Sequence, residues 1–295
     1  MLECGMFLRR LIFLLYASGV ALVVCASAQQ SADLANLPAP ISVYFSASTA
    51  RDEQFSLDPT TLRVVIDGQQ VAVTDVHSAN KDPLLFALLI DTNISMSRQL
   101  DSIKRAAIEL FNQLSARGGQ GYIGFFDVST GLSKPGTPAD AATLINSAQL
   151  RGSKAIYDII GRVCNGELNR RRNAQFPRRA IFLITDGEDT QSRMYGRQAL
   201  EAAQREGVTI YSLSLGLRGS GGDDFLKDAA KKTGGASVSG MAVDLEVNPI
   251  LADLNRQWLV TFQPAGTPDD KMHAIHIDSP GSGISFSAPL KILLK

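Results

Sequence analysis

The chain has 295 residues, 45% of them hydrophobic, enough to bury one large core or a large and a small one. Its 29 basic and 29 acidic residues cancel, so charge offers no argument for nucleic acid or an anionic membrane surface as partner. Two of the three cysteines fall within the first 25 residues, which excludes a disulfide framework and a cysteine-built zinc site in the processed chain.

Residues 1–28 read as a secretory signal peptide. Arg9 and Arg10 precede a nearly unbroken apolar run from Leu11 to Ala26, and Ala26-Ser27-Ala28 offers small residues for cleavage before Gln29. The run is short for a membrane span and no stop-transfer charges follow it. A secreted or periplasmic protein without a membrane span is therefore expected. The lesser alternative is a lipoprotein signal ending at Cys25, where Val24 is a poor fit because that pocket takes a small residue. An uncleaved anchor is the third.

Residues 29–40, polar and with two prolines, read as a flexible lead-in. Residues 41–82 have strand character. Ile41 to Ser46, Leu62 to Ile66 and Val71 to Val73 are strand-forming runs, and Asp67-Gly68 between the last two is a hairpin signal.

From 83 to 257 strands and helices alternate. The apolar runs Leu84 to Ile90, Gly121 to Phe126, Ala180 to Thr185 and Val208 to Leu215 fit strands buried on both faces. Helices are expected near 100–114, 139–148, 153–164, 195–206, 223–232 and 249–257, the last capped by Asn248. Cys164 falls on an apolar helix face and reads as a buried small residue. This alternation predicts an α/β fold with an open, doubly wound, mostly parallel sheet. Ligands of such sheets bind outside the carboxyl ends of the strands, where Asp91 and Asp186 fall. Residues 258–295 return to β character at 258–263, 273–278 and 284–287. These strands are too few to fold alone, so they are expected to pair with 41–82 in a small β-sandwich-like unit interrupted by the α/β domain.

Five positions converge on that sheet edge: Asp91, Asn93 and Ser95 after the first buried strand, Ser153 at a later helix start, and Asp186 after a middle strand. Two carboxylates, two hydroxyls and an amide oxygen form a hard-ligand set suited to Mg²⁺, Mn²⁺ or Ca²⁺. The motif Asp91-Thr92-Asn93-Ile94-Ser95, the segment Gly152-Ser153-Lys154-Ala155-Ile156-Tyr157-Asp158, and Ile184-Thr185-Asp186-Gly187 follow one another in this order. In motif, order and strand context the sequence resembles a von Willebrand factor type A domain with its metal-ion-dependent adhesion site, which reads Asp-x-Ser-x-Ser, a threonine, and an aspartate. The middle segment is similar to the Gly-Thr-Ala-Leu-Tyr-Asp pattern of a secreted bacterial subfamily. That subfamily is also matched by Val64-Val65-Ile66-Asp67-Gly68 before the domain and by Leu254-Asn255-Arg256-Gln257-Trp258-Leu259 after it.

The resemblance implies an exported, non-enzymatic binding or adhesion module. Its divalent ion, held by Asp91, Asn93, Ser95, Ser153 and Asp186, would be completed by an acidic residue of a protein partner. Two departures bear on this: Asn93 replaces a serine, and Ser153 replaces the threonine. Asn93 carries its oxygen one bond farther out, which octahedral Mg²⁺ tolerates less well than Ca²⁺. The alternative is that Asp91 and Asp186 only satisfy loop amides, in a metal-independent structural or assembly protein of the periplasm. Other groups offer less. Aromatic residues are 7% and Trp258 is the single tryptophan, which argues against a glycosidase groove. His273 and His276, three apart on a strand, face opposite ways. Arg170, Arg171, Arg172, Arg178 and Arg179 read as a solvated loop, or else as a dock for an acidic or anionic partner.

Overall fold

The structure, a computed structural model, describes residues 38–51, 53–126, 131–152, 154–240, 243–264 and 269–294, with the backbone alone for 243–246. The signal-peptide segment 1–28, most of the lead-in and Ser153 lie outside these residues. In chain order the strands are β1 (Ile41–Thr49), β2 (Arg63–Ile66), β3 (Gln69–Ser78), β4 (Leu84–Asp91), β5 (Gln120–Phe126), β6 (Leu132–Ser133), β7 (Arg178–Thr185), β8 (Val208–Ser214), β9 (Ser237–Ser239), β10 (Gln257–Gln263), β11 (Met272–Asp278), β12 (Ile284–Ser287) and β13 (Lys291–Leu293). The α-helices are α1 (Leu100–Ala116), α2 (Pro138–Asn146), α3 (Ile156–Asn165), α4 (Gly196–Glu206), α5 (Gly221–Thr233) and α6 (Val243–Asn255).

The central sheet has the order β6-β5-β4-β7-β8-β9, parallel throughout except for the edge strand β6. Every residue of β4 and β7 is buried, as expected for inner strands with helices packed against both faces. Leu84, Phe86, Leu88 and Ile90 share one apolar cluster with α1, α2 and α6. The alternating Leu85, Ala87 and Leu89 join another with α3, α4 and α5, in which Cys164 is fully buried. Helix α1 buries Ile103, Ala106, Ala107, Leu110, Phe111 and Leu114, the three- and four-residue steps of one helix face. Helix α6 begins at Val243, six residues ahead of the expected start, and Pro249 lies inside it rather than at its cap. Proline removes one backbone donor there, and the burial of Val247, Ile250, Leu251 and Leu254 holds the helix together regardless.

Strands from the two ends of the described chain pair with each other. β10 lies between β1 and β3, and β11 pairs with β2. They form one seven-stranded antiparallel sheet in the order β12-β1-β10-β3-β2-β11-β13, not two stacked sheets. The short link 279–283 joins β11 to β12, which lie near opposite ends of that order, so the sheet curls back on itself. Curling lets a single inner face close over its own side chains: Phe45, Val64, Val260, Phe262 and Ile277 form a core without a second sheet. At the β2–β3 turn, Asp67 and Gly68 both take positive φ (47° and 85°), as a two-residue hairpin requires.

Arg178, at the start of β7, fastens the two sheets together. Its guanidinium donates to the side chain of Gln257 (2.5 Å), to the carbonyl of Ala79 (3.2 Å) and to the carbonyl of Leu254. Gln257 in turn donates to Tyr211 Oη (2.7 Å). The five arginines are thus not one patch. Arg178 and Arg179 are buried strand residues, whereas Arg171 and Arg172 are exposed. Among the described residues no helix is long and apolar enough to cross a membrane.

His273 and His276 bond different carboxylates. His276 Nε2 meets Asp278 (3.1 Å), and His273 is clamped between Asp67 (Nδ1, 2.6 Å) and Asp269 (Nε2, 2.8 Å). The hydrogen bonds to Asp269 and Asp67 hold the imidazolium above its ordinary 6.5. The same contact holds Asp269 down at about 2, and Asp67 also below its ordinary value. The histidine contribution to stability is full below its unfolded value and is lost as pH rises through the raised folded one. The carboxylate contribution is present above their unfolded values and is lost as pH falls through the lowered folded ones. In paired melting curves, the Tm advantage of the wild type over His273→Gln should therefore be greatest between about pH 4 and about pH 6 and shrink by about pH 8. An advantage independent of pH would mean that the clamp carries no charge.

Candidate functional site

The chain enters the parallel sheet at β4, steps outward to β5, and then crosses back past β4 to β7. The connections leaving β4 and β7 therefore diverge, which opens a crevice at their carboxyl ends, the usual ligand position in an open α/β sheet. Asp91 is the last residue of β4 and Asp186 the first after β7, so the strand register alone brings them together.

Asp91 is fully buried. One of its carboxylate oxygens accepts from the Asn93 amide (2.8 Å), the other from Thr185 Oγ1 (2.7 Å). Burial pushes its carboxyl above the ordinary value, against those two hydrogen bonds and the nearby charge of Lys154. Asn93 turns its side-chain oxygen onto the amide of Ser95 (2.9 Å), capping the short 3-10 turn Ile94–Met96. Ser95 Oγ donates to Asp186 Oδ2 (3.2 Å), and Asp186 Oδ1 accepts from the Glu188 amide (3.0 Å). Gly187 follows at φ 79°, where a Cβ would lie 2.3 Å from the carbonyl oxygen of Gly222, so only glycine lets the Asp186 loop sit against the start of α5. Asp91, Ser95 and Asp186 thus lie together at this edge. Asn93 lies beside them with its oxygen committed to its own turn.

A residue that the sequence reading passed over stands at the centre. Lys154 is 2% exposed, and its ammonium bonds Asp186 Oδ2 and lies 3.9 Å from Asp91 Oδ2. Its backbone is latched on both sides. Lys154 N donates to Thr190 Oγ1 (3.3 Å), and its carbonyl accepts from the amides of Thr190 (3.0 Å) and Gln191 (2.9 Å). The signal was present in the sequence. Counting back from Tyr157-Asp158 without a gap sets Lys154, and not Ser153, opposite the threonine of Gly-Thr-Ala-Leu-Tyr-Asp.

A divalent ion coordinated by both carboxylates would have to occupy the space that the ammonium fills. Oxygen ligands surround such an ion at about 2.0–2.6 Å. Two cations cannot share that space, so with Lys154 in place these residues do not fit the ion. What the arrangement does chemically is neutralise one of two buried carboxylates and lock three loops together.

The nearby acids are also engaged in loop structure. Asp189 accepts from Ser192 and from the Tyr157 amide, and Asp158 from the amides of Arg193 and Met194. Beyond β8, the fully buried Asp223 accepts from Ser214, Ser239, the Gly219 amide and Lys227, which fixes the next loop of the same edge.

No protein-family model and no curated protein matches the sequence. Solved structures similar to it include an aerotolerance-related membrane protein from Bacteroides fragilis, at 18% identity and TM-score 0.48, covering 58% of this chain and 98% of that one. BatB from Bacteroides thetaiotaomicron is similar at 19% identity and TM-score 0.43, covering 57% and 98%. The VWA domain of SpRpn10 is similar at 16% identity and TM-score 0.44, covering 56% and 94%.

Proposed function

We propose that this chain, whose parallel-sheet unit is a von Willebrand factor type A-like domain, is an exported protein-binding module that meets its partner at the carboxyl edge of that sheet. The observation that carries the reading is where the apolar side chains are exposed. Ile94, Tyr195 and Leu217 are 70%, 77% and 84% exposed, and they stand on the three loops that follow β4, β7 and β8. Single exposed apolar residues are ordinary, but three on loops that follow adjacent strands at one edge have the composition of an interface. Arg9, Arg10 and the apolar run before Ala28 support export.

Helices on both faces of the parallel sheet support a doubly wound reading of this domain. We take it to span 83–257, inserted between the halves 41–82 and 258–295 of the β unit, which would hold it at a set orientation.

The test is photo-crosslinking in the producing cell, with a photoreactive residue at Ile94, Tyr195 or Leu217 and a control at Gln70 on the curled sheet. We expect one discrete protein adduct from the edge positions, lost when a neighbouring edge residue is changed to aspartate. Equal adducts from Gln70, or none from the edge, would sink the reading.

A further inference from the structure

We infer that Lys154 is a built-in replacement for a divalent cation: its ammonium is the permanent positive charge between Asp91 and Asp186, and the site takes no metal. Three observations carry this. The ammonium contacts one carboxylate and lies within 4 Å of the other, at the switch point where both strands end. The backbone of Lys154 is held on both sides by Thr190 and Gln191, so its chain is delivered from a fixed anchor. Asn93, the remaining departure from the metal motif, has its oxygen turned away into a 3-10 cap, a loss that matters to a metal and not to a lysine.

Chemistry separates the two cations. A divalent ion keeps open coordination positions and would draw a carboxylate from a partner. An ammonium has three donors and no vacant orbital, and here it bonds Asp186 and lies 3.9 Å from Asp91, both of its own chain. Asp91, Asp186 and Lys154 together carry one formal negative charge, so the centre repels an acidic contact. The second half of the inference rests on the protein-binding reading above: the partner contacts this edge through neutral or basic groups, and independently of metal.

Calorimetric titration of Mg²⁺, Mn²⁺ and Ca²⁺ into the purified wild type, Lys154→Thr and Lys154→Thr/Asn93→Ser tests the first half without any partner. The wild type should show no saturable site, and none of the three ions should raise its Tm. Lys154→Thr restores a hydroxyl and empties the space, so it should gain one site per chain, at least about tenfold tighter than any wild-type binding. That site should vanish in Lys154→Thr/Asp91→Ala. A saturable wild-type site, or a saturating rise in wild-type Tm, would overturn the inference even if the variants failed to fold. A folded Lys154→Thr/Asn93→Ser that binds no ion would also overturn it, because with both departures reverted the lysine would be replacing nothing. The second half is read from the crosslinked adduct, which should form equally in chelator and in Mg²⁺, and an adduct lost in chelator would refute it. If no adduct forms at all, the protein-binding reading fails while the titration still decides the role of Lys154.

Discussion

Changing Lys154 to alanine should destabilise the fold by about 3–5 kcal/mol at neutral pH, the usual effect of removing one partner of a buried ion pair. The wild-type arrangement tolerates two buried carboxylates because an ammonium lies between them. Without it, Asp91 is left fully buried with only the Asn93 amide and the Thr185 hydroxyl to stabilise its charge. Asp186 keeps Ser95 and the Glu188 amide. Urea unfolding of both proteins measures the loss. Its pH dependence identifies the cause: protonating a carboxyl removes the uncompensated charge, so the deficit should shrink as pH is lowered from about 7 to about 5. A deficit constant over that range would assign the effect to lost packing of the lysine stem, and a deficit below about 1 kcal/mol would mean that the ammonium is not the counter-charge.

Changing Arg178 to methionine should cost about as much, for a different reason. Methionine keeps most of the stem volume but strips the donors from the Gln257 side chain and from the carbonyls of Ala79 and Leu254. Each buried acceptor left unsatisfied costs about 1–3 kcal/mol, so a total of about 3–5 kcal/mol is expected once partial relaxation is allowed for. Those acceptors lie at the end of α6, the start of β10 and the turn after β3, so the loss falls on the joint between the two sheets. A lower urea slope or two separate transitions would show that the sheets then unfold independently. The exposed neighbours Arg171 and Arg172 should each tolerate alanine within about 0.5 kcal/mol. If they matched the Arg178 loss, the joint described here would be wrong.

Much of the architecture could be read from local pattern. Continuous apolar runs such as 84–90 and 180–185 are legible because an inner parallel strand is covered on both faces, and α1 because its apolar residues keep helical spacing. Strands β6, β9 and β13 were not legible. Each is two or three residues long, too short for periodicity, and β9 is the polar Ser237-Val238-Ser239, placed by pairing with β8. The start of α6 is hidden in the sequence because proline reads as a helix opener, while tertiary burial of Val247 and Leu251 carries the helix through it.

The sequence by itself determined the order of the longer strands and the helices, the change at Pro83 from β to α/β character, and the placement of Asp91 and Asp186 at strand ends. All of these follow from the composition of neighbouring residues. Only the tertiary structure decided that the flanking strands close into one curled sheet, because strand pairing across some two hundred residues leaves no local trace. It alone also decided what lies between the two aspartates. Counting back from Tyr157-Asp158 marks the position of Lys154, but a lysine in a loop reads as a solvated charge, and nothing local says that its four-carbon stem turns inward. That follows from the loop being pinned at Thr190 and Gln191, with two buried carboxylates within reach.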